Sequence, residues 1–141
     1  MNEFVASSVD VVIPVYNAPA LTKRCIDSVV THLGQSIRTI YVQDDASDAE
    51  TGAMLDGLSY QQLHIHHAPE NQGYGKSVNE AVARSDADLV LVLNSDTAVY
   101  ENFLPLLCEA FAIDAELAVI SPAQDSFAKY DLARYVLFPR Q

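Results

Sequence analysis

Residues 89–93 read Leu-Val-Leu-Val-Leu and are followed directly by Asn94-Ser95-Asp96. Five consecutive aliphatic residues are typical of a short strand that is buried on both faces. Strands of this kind occur in parallel sheets that carry helices on each side. The stretch therefore predicts an α/β fold, and its polar end marks a point where the centre of the sheet meets solvent.

Strand-like and helix-like patterns alternate along the chain around this stretch. Further strands are predicted at Val9–Ile13, Ile37–Val42, Leu63–His67 and Leu117–Ile120. Apolar residues recur at helical spacing between the strands, around Cys25, Met54, Val78 and Cys108. The alternation predicts a Rossmann-like, mainly parallel sheet with helices on both faces.

Local signals define the helix starts and the tail. Asn17 is expected to cap the first helix, and Ser47 with Glu50 is expected to form a capping box at the second. After Pro122 the periodic pattern fades, and the sequence leaves the order of a tail over residues 122–141 open. The whole chain, 1–141, is expected to be one domain.

The composition limits the classes of ligand. With 19 acidic and 8 basic residues, the formal charge of the 141-residue chain is −11, which disfavours nucleic acid and anionic lipid. A nucleotide diphosphate would need a metal ion or backbone amides to offset this charge. The longest apolar run is far below the ~20 residues of a membrane span. We expect a cytoplasmic domain, associated with a membrane only through segments outside this chain, with Cys25 and Cys108 reduced.

Polar residues follow four of the predicted strands. These loops are Tyr16–Asn17, Asp44–Ser47, Asn71–Lys76 and Asn94–Asp96. Because ligands of open α/β sheets bind beyond the carboxyl ends of the strands, we expect the four loops to line one cleft.

Each loop has a binding interpretation and a structural one. Asp45 can accept hydrogen bonds from a base or ribose, or it can support Ser47 in capping a helix. Gly73 and Gly75 can bring backbone amides to an anion at a helix start, or they can form a plain turn. Lys76 is either a phosphate contact or an ordinary surface residue.

The loop after residues 89–93 has the sharpest chemical interpretation. The oxygens of Asn94 and Asp96 are spaced to meet a hard cation such as Mg²⁺ or Mn²⁺, or the loop is a turn that starts the next helix. His64, His66 and His67 have no further ligand at zinc spacing, which favours a polar edge strand over a metal site.

Four stretches together resemble the motifs of family 2 glycosyltransferases, which have the GT-A fold. Residues 13–17 resemble the opening motif, and residues 42–47 resemble the Val-Asp-Asp-Gly-Ser stretch. Asn71-x-Gly73 with Asn79 resembles the third motif, and residues 93–97 resemble the metal-binding Asp-x-Asp segment. They occur in the family's order and cover residues 9 to about 121.

The resemblance implies inverting transfer of a sugar from a UDP- or dTDP-sugar to a hydroxyl of a glycan or lipid-linked sugar. It implies a nucleoside pocket around Val15 and Asn17, with Asp45 on the uracil or thymine ring. It places Gly73 and Lys76 near the ribose and diphosphate, and Ser95 among the donor-binding residues. Asp96 is the implied metal ligand and catalytic group, with Asn94 beside it and Mn²⁺ or Mg²⁺ as the cofactor.

Two departures from the family pattern shape the expectation. Asn94 replaces the first Asp of Asp-x-Asp, which resembles the rhamnosyltransferase-like branch. The family's acceptor site and catalytic base lie in a further segment, and neither Asp125 nor Asp131 matches a base motif. We therefore expect an incomplete enzyme that binds a donor but transfers no sugar, and whose tail is mobile or forms a homodimer contact.

Three other functions compete with this interpretation. A non-catalytic nucleotide-binding or protein-interaction module of GT-A type is the main alternative. A response-regulator receiver would place its acidic pair after strand one, whereas the pair here follows strand two. A nucleotidyltransferase would need a glycine-rich basic loop after strand one, and residues 17–20 read Asn-Ala-Pro-Ala.

Overall fold

The computed structural model describes residues 8–114, 116–121 and 135–139. The strands are β1 (Val9–Val15), β2 (Thr39–Asp44), β3 (Leu63–His67), β4 (Leu89–Leu93) and β5 (Tyr135–Pro139). The helices are α1 (Pro19–Leu33), α2 (Ala49–Asp56), α3 (Tyr74–Arg84) and α4 (Leu104–Ile113). No helix in these ranges is long and apolar enough to span a bilayer.

The strands form one sheet in the order β3-β2-β1-β4-β5. Strands β1 to β4 are parallel, and β5 runs antiparallel to β4. The centre of the sheet is β1 with β4, and every residue of both strands is buried.

Side chains of β1 alternate between two cores, as the two-residue period of a strand requires. Val11 and Ile13 belong to a large cluster that includes buried residues of α1, α2 and α4. Val12 belongs to a smaller cluster with Ala81 of α3 and Val90 of β4. Helices therefore cover both faces, and the predicted α/β architecture is confirmed.

The fifth predicted strand is wrong. Leu117–Ile120 contains no strand, and Ile120 forms only an isolated bridge. Leu117 and Ile120 are partly buried against the large core cluster, which explains their apolar character. The strand next to β4 is Tyr135–Pro139, which enters antiparallel and so needs no right-handed crossover.

This strand lies within the tail, over residues 122–141, for which the sequence indicates no periodic pattern. Residues 135–139 pair with β4 of the same chain along its whole length. The candidate carboxylates Asp125 and Asp131 lie outside the described residues.

Helix caps, the end of β1 and both ends of β2 differ from prediction by one or two residues. Asp48, not Ser47, caps α2 by accepting from the Thr51 amide at 2.8 Å. Ala18 occupies the cap position of α1 without a side-chain bond. Strand β1 continues through Pro14 because its pairing with β4 has already ended there, so the missing N–H costs no ladder bond.

Candidate functional site

The carboxyl ends of β1 to β4 meet at one edge of the sheet. Strands β1 and β2 stay in register to Val15 and Asp44, and the Asp45 amide then donates to the Val15 carbonyl at 2.9 Å. Asp96 follows the parallel strand β4 at the same edge. The prediction that the four polar loops share one edge is confirmed.

The loops after β1 and β2 are bonded to each other. The Asn17 amide donates to Ser47 Oγ at 2.8 Å, and Asn17 Oδ1 accepts from the Asp48 amide at 2.8 Å. Asn17 and Ala18 both have left-handed backbone, with φ of 59° and 56°. Asn tolerates this conformation well, so Asn17 shapes the turn in addition to any ligand contact.

Asp45 holds the loop after β3. Its two carboxylate oxygens accept from the amides of Gln72 and Gly73 at 2.7 and 2.8 Å, and the side chain is almost fully buried. Asn71 adds a bond from Nδ2 to the Asp45 carbonyl at 3.3 Å. A carboxylate offers about four acceptor positions, so these two bonds leave two of them unused.

Asp44 faces a different partner. Its Oδ1 accepts from the Ser47 amide at 3.1 Å, and its Oδ2 lies 2.6 Å from His67 Nδ1. The other ring nitrogen of His67 lies 3.0 Å from Asp56 Oδ1. The hydrogen bond to Asp44, and secondarily the one to Asp56, raises the pKa of His67, against the opposing effect of burial.

Sequence reasoning missed the role of His67. It predicted an edge strand, and β3 lies at one edge of the sheet. The missed signal was the register, since His67 stands directly opposite Asp44 on the neighbouring strand.

The loop after β4 is a turn and also presents a carboxylate. The Asn94 carbonyl accepts from the amide and the hydroxyl of Thr97, at 3.2 and 2.8 Å. Asn94 Oδ1 accepts from Tyr74 OH at 3.0 Å. Ser95 is half-buried, whereas Asp96 is exposed and makes no hydrogen bond or ion pair with the described residues.

The start of α3 lies open beside this turn. Gly73 stands at the cap position with φ of 85°, a conformation that favours glycine. A Cβ at Gly73 or Gly75 would meet no atom within 4 Å. Lys76 is exposed and forms no ion pair within the described ranges. First-turn amides and an ammonium group at one helix start can bind an anion.

Cys25 packs beneath the turn after β4. Its thiol lies 3.5 Å from the Asn94 carbonyl, and burial raises its pKa to about 11. Cys108 is half-buried on α4, and both thiols are free, as predicted.

Comparisons with known proteins agree with the geometry of the fold. The family model described as glycosyl transferase family 2 matches residues 10–138. An N-acetylglucosaminyltransferase from Rhizobium sp. (strain N33) is 34% identical over 101 residues, which are 69% of this chain and 22% of that protein. One from Mesorhizobium japonicum is 36% identical over 104 residues, 71% of this chain and 24% of the relative.

Solved structures resemble the chain at lower sequence identity. A mannosyltransferase from Pyrobaculum calidifontis, in complex with GDP-Man and Mn²⁺, superposes with a TM-score of 0.74 at 17% identity. The match covers 94% of this chain and 44% of the mannosyltransferase. S. aureus TarS in complex with UDP-GlcNAc gives a TM-score of 0.65 at 20% identity, covering 74% of this chain and 31% of TarS. The chain thus spans less than half of each of these relatives.

Proposed function

Because the chain belongs to glycosyl transferase family 2, we propose that its carboxyl edge binds a nucleotide-diphosphate sugar for inverting transfer to an acceptor hydroxyl. The observation that carries the proposal is the pairing of two features at one edge. An open helix start with a free ammonium group suits the diphosphate, and the exposed carboxylate of Asp96 suits a cation on that diphosphate.

On the nucleoside side, Val15, Asn17 and Asp45 form the pocket of a UDP- or dTDP-sugar. The first two follow each other closely at the end of β1, and the Asp45 amide is bonded to the Val15 carbonyl. The two free acceptor positions of Asp45 fit the ring N–H of uracil or thymine. The names of the relatives and the nucleotide sugars bound in the solved neighbours support a nucleotide-sugar donor in general.

On the diphosphate side, Gly73, Lys76 and Ser95 contact the phosphates, and Asp96 with Asn94 faces the cation. The described residues fit a Mg²⁺ or Mn²⁺ site of the kind in which one or two carboxylates act together with substrate phosphates. Asp96 supplies a free carboxylate, and Asn94 supplies an oxygen that already accepts from Tyr74 OH. When bound, the cation would offset the negative charge that develops on the leaving diphosphate.

Donor binding is tested by calorimetry with UDP, dTDP and GDP, each with and without Mn²⁺. We expect UDP and dTDP to bind more tightly than GDP, and Mn²⁺ to strengthen the binding of both. Asp96→Ala should remove the effect of Mn²⁺ and leave metal-free binding nearly unchanged. Glu109→Ala, which removes the same charge from the exposed surface of α4, is the matched control. If no nucleotide binds, or if Asp96→Ala keeps the full response to Mn²⁺, the proposal is wrong.

Transfer needs a general base in addition to donor binding. Among the described carboxylates at this edge, Asp44 and Asp45 are buried and hydrogen-bonded, Asp48 caps α2, and we assign Asp96 to the cation. Glu70, in the loop after β3, is exposed, and no hydrogen bond to a described residue orients it as a base. We therefore propose that the 141-residue chain alone binds the donor but transfers no sugar. Loss of the base costs about 10²–10⁴ in rate. Robust glycoside formation by the purified chain with Mn²⁺, nucleotide sugars and candidate acceptors would contradict this.

Three finer points stay predictions. They are an acceptor that is a glycan or a lipid-linked sugar, a homodimer contact through the tail, and a cytoplasmic location.

A further inference from the structure

The imidazole of His67 is held between two carboxylates from two different elements. Asp44 reaches Nδ1 from β2 and Asp56 reaches Nε2 from α2, at 2.6 and 3.0 Å. Among the described residues, these are the charged groups that form ion pairs with the ring. The two environments differ, because the Asp44 side chain is buried whereas 73% of the Asp56 side chain is exposed.

Both contacts can exist together only when the ring is charged. A carboxylate accepts hydrogen bonds but donates none, and a neutral imidazole carries a single N–H. One of the two carboxylates would then face a bare nitrogen lone pair. The observed geometry is therefore that of an imidazolium, which agrees with the raised pKa of His67, caused first by the bond to Asp44.

Asp44 also forms a hydrogen bond to the loop at the carboxyl edge of the sheet. Its second oxygen accepts from the Ser47 amide at 3.1 Å, and Ser47 Oγ accepts from the Asn17 amide at 2.8 Å. Asn17 in turn accepts from the Asp48 amide at 2.8 Å. A continuous series of hydrogen bonds thus joins His67 to the left-handed turn after β1.

We propose that His67 is a positioning residue whose imidazolium, through Asp44 and Ser47, fixes the Asn17 turn and so strengthens donor binding when the ring is protonated. This inference rests on the proposed function, because that function places the nucleoside against Asn17.

The sign of the pH dependence follows from the raised pKa of His67. The stabilisation is complete below the ordinary histidine pKa of about 6.5 and is lost as the pH rises through the raised value. Deprotonation leaves the buried Asp44 carboxylate without its cationic partner, and the turn that depends on Asp44 becomes looser. Donor affinity should therefore fall as His67 loses its proton.

The first test needs no nucleotide. NMR titration of the full chain follows the His67 Cε1–H signal and the backbone amides of Ser47 and Asn17. We expect all three to shift with one common midpoint above the ordinary histidine pKa of about 6.5, because the bond to Asp44 raises the pKa of His67. Asp56→Asn should move this common midpoint to lower pH. If the Ser47 and Asn17 amides do not respond when His67 titrates, the inference is wrong.

The second test measures UDP affinity with Mn²⁺ by calorimetry from pH 5.5 to 9. Protonation of UDP affects all variants equally, so the ratio between wild type and His67→Gln isolates the ring. At the acid end we expect wild type to bind UDP about tenfold more tightly than His67→Gln, because this ratio corresponds to the free energy of one charge-assisted hydrogen bond. At the alkaline end the ratio should approach one. His66→Gln should match wild type throughout, and Asp56→Asn should move the fall in affinity to lower pH.

The outcomes separate this inference from the proposed function. A wild-type to His67→Gln ratio that is constant with pH overturns the role of His67, while UDP binding as such still supports the proposed function. Conversely, if the Asn17 amide titrates with His67 but no UDP binds at any pH, the proposed function fails and donor control by His67 fails with it. Because Asp56 is mostly exposed, Asp56→Asn is expected to fold and provides the test if His67→Gln does not.

Discussion

Removing the carboxylate of Asp45 should have two separable consequences, one for stability and one for specificity. The carboxylate accepts from the backbone amides of Gln72 and Gly73 at 2.7 and 2.8 Å. Hydrogen bonds to charged groups contribute about 1.5–3 kcal/mol each. Gln72 and Gly73 are half-buried residues, so we expect water to replace part of the loss. We expect Asp45→Ala to lower the free energy of unfolding by about 2–4 kcal/mol.

The specificity consequence follows from the proposed contact with the base. Uracil presents a ring N–H at the position where cytosine presents an acceptor, so a carboxylate partner favours UDP over CDP. Asp45→Asn should therefore weaken UDP binding about tenfold relative to CDP. In the absence of metal, Asp45→Ala should also weaken UDP binding far more than Asp96→Ala does.

The assays are urea unfolding for stability and calorimetry with UDP and CDP for specificity. Asp48→Ala is the matched control, because it removes a carboxylate that caps α2 in the neighbouring loop, at a cost of about 1 kcal/mol. The control should lower stability without changing the ratio of UDP to CDP affinity. An unchanged unfolding free energy for Asp45→Ala would refute the anchoring role, and equal losses of UDP and CDP affinity would refute the contact with the base.

Three further predictions concern the same edge. Ala46 has a left-handed φ of 56°, so Ala46→Gly should raise the free energy of unfolding in urea by about 0.5–1 kcal/mol. The control, Ala53→Gly within α2, should lower it by about 1 kcal/mol. A destabilised Ala46→Gly variant would contradict this prediction. Burial raises the pKa of the Cys25 thiol to about 11. Cys25 should therefore react with iodoacetamide at pH 8 at least about tenfold more slowly than the half-buried Cys108, and the two rates should be equal in urea, which serves as the control. Equal rates in the native protein would refute the buried position of Cys25. Asn94→Asp adds a second carboxylate beside Asp96, so the affinity of Mn²⁺ for the UDP complex should rise by about 1 kcal/mol in calorimetry; an unchanged affinity would exclude a ligand at this position.

Much of the fold was predictable because its strongest signals are local. The bounds of β4 follow from an uninterrupted aliphatic run, and those of β3 were also predicted as observed. Alternation of strands and helices then placed the four polar loops at one edge, since parallel strands leave no other arrangement. The resemblance to family 2 glycosyltransferases then identified the four loops together as motifs of that family.

The remaining features depend on contacts between distant residues. Tyr135–Pro139 becomes a strand because β4 offers it an edge, and nothing within those five residues specifies that pairing. The caps of α1 and α2 differ from prediction because Ser47 Oγ accepts from the Asn17 amide and Asn17 Oδ1 accepts from the Asp48 amide, so neither side chain caps its own helix. The contact of His67 with Asp44 depends on the register of β2 and β3, which the sequence leaves open.

The acidic character of the chain and an anionic ligand are compatible because the charge at this edge is locally compensated. The formal charge of −11 counts Asp44 and Asp45 in full, yet Asp44 pairs with His67 and Asp45 accepts from two backbone amides. In the proposed complex, the diphosphate would therefore meet the start of α3 and the exposed ammonium group of Lys76. Asp96 is the exposed carboxylate of the loop after β4, and its repulsion is removed when a divalent cation lies between it and the phosphates. The proposed metal dependence thus follows from the charges that the fold leaves uncompensated.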